Sequence, residues 1–227
     1  MTTVFYFSGS GHSYAVAKAL SDVLGYGIKK IEDLQEMIVK REVAVVVFPV
    51  YCQNIPSPVV TFLKNLYADR IALLATYGKI SYGNVLYEAK SLVHGDVVAG
   101  AYVPMGHTFR GEDCSFCSDF LSAFAERVRL SQKVDIPKTH KNPLADIFPA
   151  LRSRMGVKIM KNELCHACGL CTESCPMGAI QNGEINAKCI RCLRCVTICS
   201  QNALRYKNIW VLDQYLKAYN KEEYIIY

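Results

Sequence analysis

The cysteine spacing near the C-terminus restricts the fold of this chain more than any other feature. Eight of its eleven cysteines lie between Cys165 and Cys199, in two copies of the pattern C-x2-C-x2-C-x3-C. Aligning Cys165 with Cys189 superimposes the two copies and also places Ala179 on Ala203. Each copy is too short to bury a hydrophobic core without a bound metal. We therefore expect this segment to fold around metal.

The spacing indicates which metal centre is held. Three cysteines in close succession allow the thiolates of one loop to reach three irons of a cube-shaped [4Fe-4S] cluster, while the fourth, displaced by a helical turn, faces a second cluster. The alternative is structural zinc, although zinc sites usually pair two C-x2-4-C knuckles across a longer gap. His166 lies inside the first loop and is expected to be solvated, because four cysteines already saturate a site.

The segment 158–206 resembles bacterial two-cluster ferredoxins, with Pro176 after the first motif and Ser200 where the second usually has proline. The resemblance implies that the two copies exchange their fourth cysteines. One cluster would be held by Cys165, Cys168, Cys171 and Cys199, and the other by Cys175, Cys189, Cys192 and Cys195.

The first 100 residues alternate strand-like apolar runs with amphipathic stretches, which is typical of a parallel sheet covered by helices. Strands are predicted at 3–7, 43–49, 70–76 and 96–103, with a short one at 28–31. Helices are predicted at 12–24, 57–67, 82–93 and 118–130. The pattern predicts an α/β domain with a doubly wound, five-stranded parallel sheet.

The segment Ser8-Gly9-Ser10-Gly11-His12-Ser13 joins the first predicted strand to the first helix. Glycines free backbone N–H groups there, and a helix N-terminus favours an anion. Tyr14 breaks the dinucleotide pattern G-x-G-x-x-G, and no G-K-[ST] is present. The three serines of this short segment suit the terminal phosphate of a mononucleotide such as FMN.

This loop resembles the first loop of flavodoxins, with His12 in place of their usual Asn. The whole chain resembles fused flavodoxin-ferredoxin proteins, in which a P-V-Y segment and a T-Y-G-x-x-x-Y-G segment flank the flavin ring. The resemblance implies that FMN is bound by the serine-glycine loop together with Pro49, Tyr51, Cys52, Gln53, Asn54, Ile55, Thr76, Tyr77, Gly78, Tyr82 and Gly83.

Tyr51, Tyr77 and Tyr82 are the candidates to stack on the flavin ring; the alternative is that they are ordinary half-buried tyrosines. The loop Cys52-Gln53-Asn54 contains no glycine, and only Asn54 is expected to adopt a positive φ readily.

The predicted organisation is a flavodoxin-like FMN domain at 1–135, a linker at 136–157 containing Pro137, Pro143 and Pro149, a ferredoxin domain at 158–207 and a helical tail at 208–227. A second cysteine feature, Cys114-x2-Cys117, is either a redox dithiol or a reduced structural pair.

The number of cysteines and the absence of a basic leader predict a reducing, cytoplasmic environment. The longest apolar run, 43–52, is too short to cross a membrane. The net charge of +6 is spread along the chain, so nucleic acid is not expected as a partner. The predicted function is electron transfer between FMN, two [4Fe-4S] clusters and a ferredoxin or reductase. The alternatives are a flavin-dependent reductase using His107, Arg110 or the pair of Cys114 and Cys117, and a scaffold with an empty flavodoxin fold.

Overall fold

The computed structural model describes residues 2–147 and 151–227, so Met1 and the linker proline Pro149 lie outside the described residues. Five parallel strands form the central sheet, in the order β2-β1-β3-β4-β5. They are β1 (Thr2–Tyr6), β2 (Gly27–Lys30), β3 (Val39–Pro49), β4 (Leu66–Tyr77) and β5 (His94–Pro104). This is the flavodoxin-like strand order, and it confirms the predicted fold class.

Helices cover both faces of the sheet. They are α1 (His12–Leu24), α2 (Ser57–Lys64), α3 (Val85–Lys90) and α4 (Ser118–Leu130). One buried cluster packs α1 and α4 against the sheet through residues such as Leu20 and Phe124, and another packs α2 and α3 through Leu63 and Leu86. Because both faces are covered, the run from Val43 to Phe48 is buried throughout.

Two predicted helices are shorter than expected. The helix expected at 57–67 ends at Lys64, because Leu66 pairs with Val39 and begins β4. The helix expected at 82–93 spans only Val85–Lys90, after Gly83 adopts a φ of 61°. At Leu66, pairing with a neighbouring strand therefore overrides the continued apolar helical pattern.

The cysteine-rich region forms a small unit of its own. Its strands are β6 (Val157–Lys161), the hairpin of β7 (Ile180–Gln181) and β8 (Glu184–Ile185), and β9 (Leu204–Asn208), which pairs antiparallel with β6. Its helices are α5 (Leu151–Gly156), α6 (Leu170–Glu173) and α7 (Arg194–Thr197).

The tail departs from the predicted five-stranded sheet. After α8 (Trp210–Ala218), the chain returns to the flavodoxin-like domain as β10 (Ile225–Ile226), a sixth strand antiparallel to β5. Ile225 and Tyr227 pack on one face of the sheet, and Tyr224 and Ile226 pack on the other. The side chains therefore alternate between the two faces of the sheet, as in a regular strand. The strand β10 covers the edge of β5, which would otherwise be open. Among the described residues, no helix has the length and apolar character needed to cross a membrane.

Candidate functional site

Four cysteines drawn from both repeats surround one cavity of the small unit. This first cysteine group consists of Cys165, Cys168, Cys171 and Cys199. Three of them lie on the loop that leads into α6, where Ala167 and Gly169 have positive φ values of 56° and 85°. The fourth follows α7. The grouping matches the one that the resemblance to two-cluster ferredoxins implies, and His166 is exposed at the rim.

The second cysteine group, Cys175, Cys189, Cys192 and Cys195, surrounds the other cavity. Its loop repeats the backbone of the first, because Arg191 and Leu193, at the equivalent positions of the second copy, have φ values of 57° and 58°. The two copies thus have the same backbone curvature as well as the same cysteine spacing. Among the described residues, no three His, Cys, Asp or Glu side chains converge on one metal ion, and the cysteines instead surround these two cavities.

An asparagine begins each cysteine loop, and the sequence reasoning overlooked it. The Asn162 side chain accepts a hydrogen bond from the Leu164 N–H, and Asn186 does the same for Lys188. In both copies the carbonyl of the asparagine also accepts from the N–H of the first cysteine. The signal was present, since each asparagine stands at the same place before the first cysteine of its copy.

Backbone N–H groups point at the sulfur atoms of both groups. Ala179 donates to Cys175 Sγ at 3.2 Å, and Ala203 donates to Cys199 Sγ at 3.3 Å. Burial acts to raise the pKa of the Cys199 thiol. Hydrogen bonds from backbone N–H groups, including that of Ala203, outweigh this effect, so the pKa is lowered overall. Burial raises the pKa of Cys192 to about 11 and that of Cys195 to about 12. Hydrogen bonds to sulfur of this kind tune iron-sulfur clusters.

The serine-glycine loop lies between β1 and α1, at the carboxyl edge of the sheet. Gly11 is the N-cap of α1 with a φ of 98°. Ser13 Oγ lies 2.8 Å from Thr76 Oγ1, and Ser10 Oγ lies 2.9 Å from Thr108 Oγ1. Ser8 Oγ is buried without a hydrogen-bond partner among the described residues. A buried hydroxyl beside a helix N-terminus is chemically suited to an anion.

The loop after β5 packs on the serine-glycine loop. Burial lowers the pKa of His12, although the hydrogen bond with the Glu112 carbonyl opposes that effect. His107 packs over Gly78, and burial lowers its pKa to about 4. Arg110 pairs with Glu112 and donates to the Tyr219 carbonyl. His107 and Arg110, considered for substrate binding, are therefore engaged in contacts within the chain.

The loop after β3 forms a tight turn that the linker covers. Cys52 and Gln53 have φ values of 51° and 66°, although Asn54 is the residue of this loop expected to adopt a positive φ readily. Asn54 instead stabilises the turn by exchanging backbone hydrogen bonds with Tyr51. Its side chain donates to the Ala145 carbonyl at 2.8 Å. Burial raises the pKa of the Cys52 thiol. Pro49 ends β3, and Ile55 packs against the sheet core.

The loop after β4 is held by the tail. Tyr77 is buried, and its hydroxyl accepts from the Glu223 N–H at 2.9 Å. Tyr82 stacks on Tyr102 with ring centroids 4.1 Å apart and meets Tyr77 edge to face. The rings of Tyr77 and Tyr82 thus pack on other tyrosines, and Gly83 packs against Gln53.

Cys114 and Cys117 lie on the surface before α4. Cys117 is the N-cap of that helix, and its N–H donates to the Tyr224 hydroxyl at 3.0 Å. Burial raises the pKa of Cys114, which is opposite to the change that activates a redox thiol.

The second cysteine group packs directly on the serine-glycine loop. A Cβ atom built on Gly9 would lie 2.4 Å from the Cys192 carbonyl oxygen and 2.5 Å from the Tyr51 hydroxyl oxygen. Arg194 is buried and donates from Nε and Nη2 to the Ser8 carbonyl at 3.1 and 2.6 Å. It also forms an ion pair with Glu32. The cysteine-rich unit and the flavodoxin-like domain therefore meet at this loop.

Comparison with protein families gives two matches in the cysteine-rich unit. Both family models are described as a 4Fe-4S binding domain, and they match residues 160–181 and 186–203. They decide the open question of the metal in favour of [4Fe-4S] clusters over zinc.

Two proteins of Methanocaldococcus jannaschii are similar to this chain, and both are called uncharacterized ferredoxins. One is 34% identical over 122 residues, which cover 45% of this chain and 79% of that protein. The other is 26% identical over 114 residues, covering 43% of this chain and 69% of that protein.

Two solved flavodoxins align with a little more than half of the chain. A short-chain flavodoxin associated with a non-canonical PDU bacterial microcompartment has a TM-score of 0.44 at 16% identity, covering 57% of this chain and 96% of that one. A two-electron reduced Megasphaera elsdenii flavodoxin has a TM-score of 0.38 at 17% identity, covering 56% and 99%.

Proposed function

The chain belongs to the ferredoxin family, and from that premise we propose that its clusters exchange electrons with an FMN held by its flavodoxin-like domain and with an external redox protein. One observation carries this proposal: the Cys192 loop of a cluster-binding unit packs on Gly9 of a serine-glycine loop, at the carboxyl edge of a sheet with flavodoxin-like strand order. Ligands of this fold bind at that edge. The contact therefore brings a cluster loop to the place expected for a flavin phosphate.

We assign one [4Fe-4S] cluster to the first cysteine group and one to the second. Each cavity is lined by four cysteines, and N–H groups donate to sulfur in both. Clusters of this type carry single electrons, whereas a flavin exchanges one or two. The chain thus joins one-electron carriers to a centre that also handles electron pairs. We expect a ferredoxin or a reductase as partner, in a compartment that keeps thiols reduced.

The serine-glycine loop fits the FMN phosphate. The buried Ser8 Oγ lacks a partner among the described residues, Gly11 turns the chain at a φ of 98°, and α1 points its N-terminus at the loop. The loops at 49–55 and 76–83 form the neighbouring walls of the proposed site. Tyr77 and Tyr82 support those walls through their contacts with the tail and Tyr102, so the proposal gives them no stacking role.

Composition of the purified protein tests the proposal directly. Anaerobic purification followed by iron, sulfide and flavin assays on one sample is expected to give about eight irons and about one FMN per chain. Zinc in place of iron, or protein that releases no flavin on denaturation, would contradict it.

A matched pair of glycine variants tests the phosphate loop. Gly11 and Gly25 flank the two ends of α1, both have positive φ, and no heavy atom lies within 4 Å of a Cβ built on either. Alanine at either position adds about 1 to 2 kcal/mol of backbone strain. We expect Gly11→Ala to weaken FMN binding and Gly25→Ala to leave it unchanged at a similar loss of stability. Equal flavin affinity in the two variants would contradict this site.

A further inference from the structure

The two cysteine groups differ in their contacts with the flavodoxin-like domain. Around the second group, Ile190 packs against the core of the sheet and Cys192 packs on Gly9. Ser57 Oγ lies 3.5 Å from the sulfur of Met177, which follows Cys175 closely in the chain. The second group thus faces the domain from several positions along its loops.

Arg194 links the second group to that domain. It lies between Cys192 and Cys195, and its guanidinium lies 5.4 Å from the centroid of the Phe7 ring. The same guanidinium donates to the Ser8 carbonyl, pairs with Glu32, and donates through Nη1 to the Ser174 carbonyl. A buried guanidinium with this set of partners fixes the spacing of the groups around it, because losing one partner leaves a buried charge uncompensated.

The first group is more exposed than the second. Cys168 is exposed, and the apolar side chains of Leu164 and Leu170 beside the loop are 58% and 41% exposed. Cys165 lies next to Gly183, in the turn of the small hairpin of its own unit. Solvent, and hence another protein, reaches this group more easily than the second one.

We propose that the two clusters have unequal roles: the cluster of the second group exchanges electrons with the flavodoxin-like domain, the cluster of the first group exchanges them with the external protein, and Arg194 is the positioning residue for the inner exchange. This assignment rests on the function proposed above. Each step moves one electron, so the external iron-sulfur protein is oxidised as the first cluster is reduced. The first cluster is reoxidised as it reduces the second, which is reoxidised by FMN. Two passes reduce FMN fully, with protons from water, and flow in the opposite direction passes through the same centres in reverse order.

Two neighbouring arginines provide a matched test. Arg191 also lies beside Cys192, but its Nε donates to the Val157 carbonyl within the cysteine-rich unit. We expect Arg194→Gln to retain its iron and FMN and to be reduced by an external ferredoxin at the normal rate. Electron exchange between the clusters and the flavin is measured after photoreduction by a flash of light. Its rate should fall about tenfold or more in Arg194→Gln, because one partner of a buried charge pair is lost. Arg191→Gln should keep both rates.

Amide hydrogen exchange gives a readout that needs no turnover. Residues 8–13 should exchange faster in Arg194→Gln and at the normal rate in Arg191→Gln, because Arg194 donates to the Ser8 carbonyl and Arg191 to the Val157 carbonyl. If the two variants behave alike, in kinetics and in exchange, the positioning role of Arg194 is wrong.

Removal of one ligand from each group tests the order itself. Cys168→Ala should slow reduction by the external ferredoxin about tenfold or more while leaving flash-induced exchange with the flavin intact. Cys192→Ala should slow flash-induced exchange with the flavin about tenfold or more while leaving reduction by the external ferredoxin intact. The opposite pattern, or equal losses, would overturn the order, and if either variant fails to fold, the arginine pair decides. Wild-type protein lacking iron or flavin would instead refute the proposed function.

Discussion

A single methyl group at Gly9 tests the contact on which the electron path depends. A Cβ atom there would lie 2.4 Å from the Cys192 carbonyl oxygen, 2.5 Å from the Tyr51 hydroxyl oxygen and 2.8 Å from Cys192 Cβ. Real Cβ atoms essentially never come closer than 3.0 Å to such neighbours. Gly9→Ala must therefore displace the Cys192 loop, because a backbone carbonyl cannot rotate away as the end of a long side chain can.

The size of the effect follows from the cost of overpacking. Extra carbon atoms forced into a well-packed contact cost about 1 to 3 kcal/mol. For a chain of this length, that cost corresponds to a loss of about 2 to 12 °C in Tm if the two units stay together. If they separate instead, the same free energy lowers the docked population relative to the undocked one by about 5- to 150-fold.

Thermal unfolding of the anaerobic holoprotein measures the first outcome, and hydrogen exchange around Cys192 measures the second. Gly27→Ala is the matched control, because a Cβ at Gly27 has no heavy atom within 4 Å and its φ is not positive. We expect this control to stay within about 0.5 kcal/mol of the wild type. If Gly9→Ala is as stable as Gly27→Ala and the Cys192 loop exchanges at its normal rate, the docking contact is wrong.

Three further predictions concern interactions around the same edge of the sheet. Glu32→Gln and Arg194→Gln should each lower the free energy of unfolding by about 3 kcal/mol, and the double variant should lose less than the sum of the two. Additive losses in a double-mutant cycle measured by denaturant unfolding would contradict the ion pair. Tyr77→Phe should cost about 1 kcal/mol and speed amide exchange at 221–223, whereas Tyr87→Phe, with an exposed ring, should change neither. Burial holds the pKa of His107 at about 4, below its unfolded value, so stability should fall as the pH drops from about 6.5 towards 4, and a titration of His107→Gln should lack that component.

Local signals made much of the fold predictable. The observed bounds of α1 and α4 equal the predicted ones, and α1 is flanked by Gly11 and Gly25, which mark its ends by their positive φ. The spacing of the cysteines likewise aligns the two copies of the repeat, and positive φ values recur at the aligned positions. Features set by neighbouring residues, such as the two ends of α1, are accessible to sequence reasoning.

Features set by distant partners were not predictable. The strand Ile225–Ile226 is very short, and its partner Tyr102 lies in the first half of the chain. The positive φ values of Cys52 and Gln53 are sterically unfavourable locally and are accompanied by linker contacts, such as the Asn142 N–H donating to Gln53 Oε1. In both places the tertiary contact overrides the local preference.

The covalent connection lowers the entropic cost of holding the cluster loop in place. Gly9 meets Cys192, and the buried ion pair between Arg194 and Glu32 supports the contact. Two separate proteins would lose translational and rotational freedom on forming it. Within one chain the same docking is intramolecular, at the high effective concentration that a linker provides. A linker that also hydrogen-bonds to Gln53 and Asn54 restricts the undocked states further, so the fusion adds to the stability that the direct contacts provide.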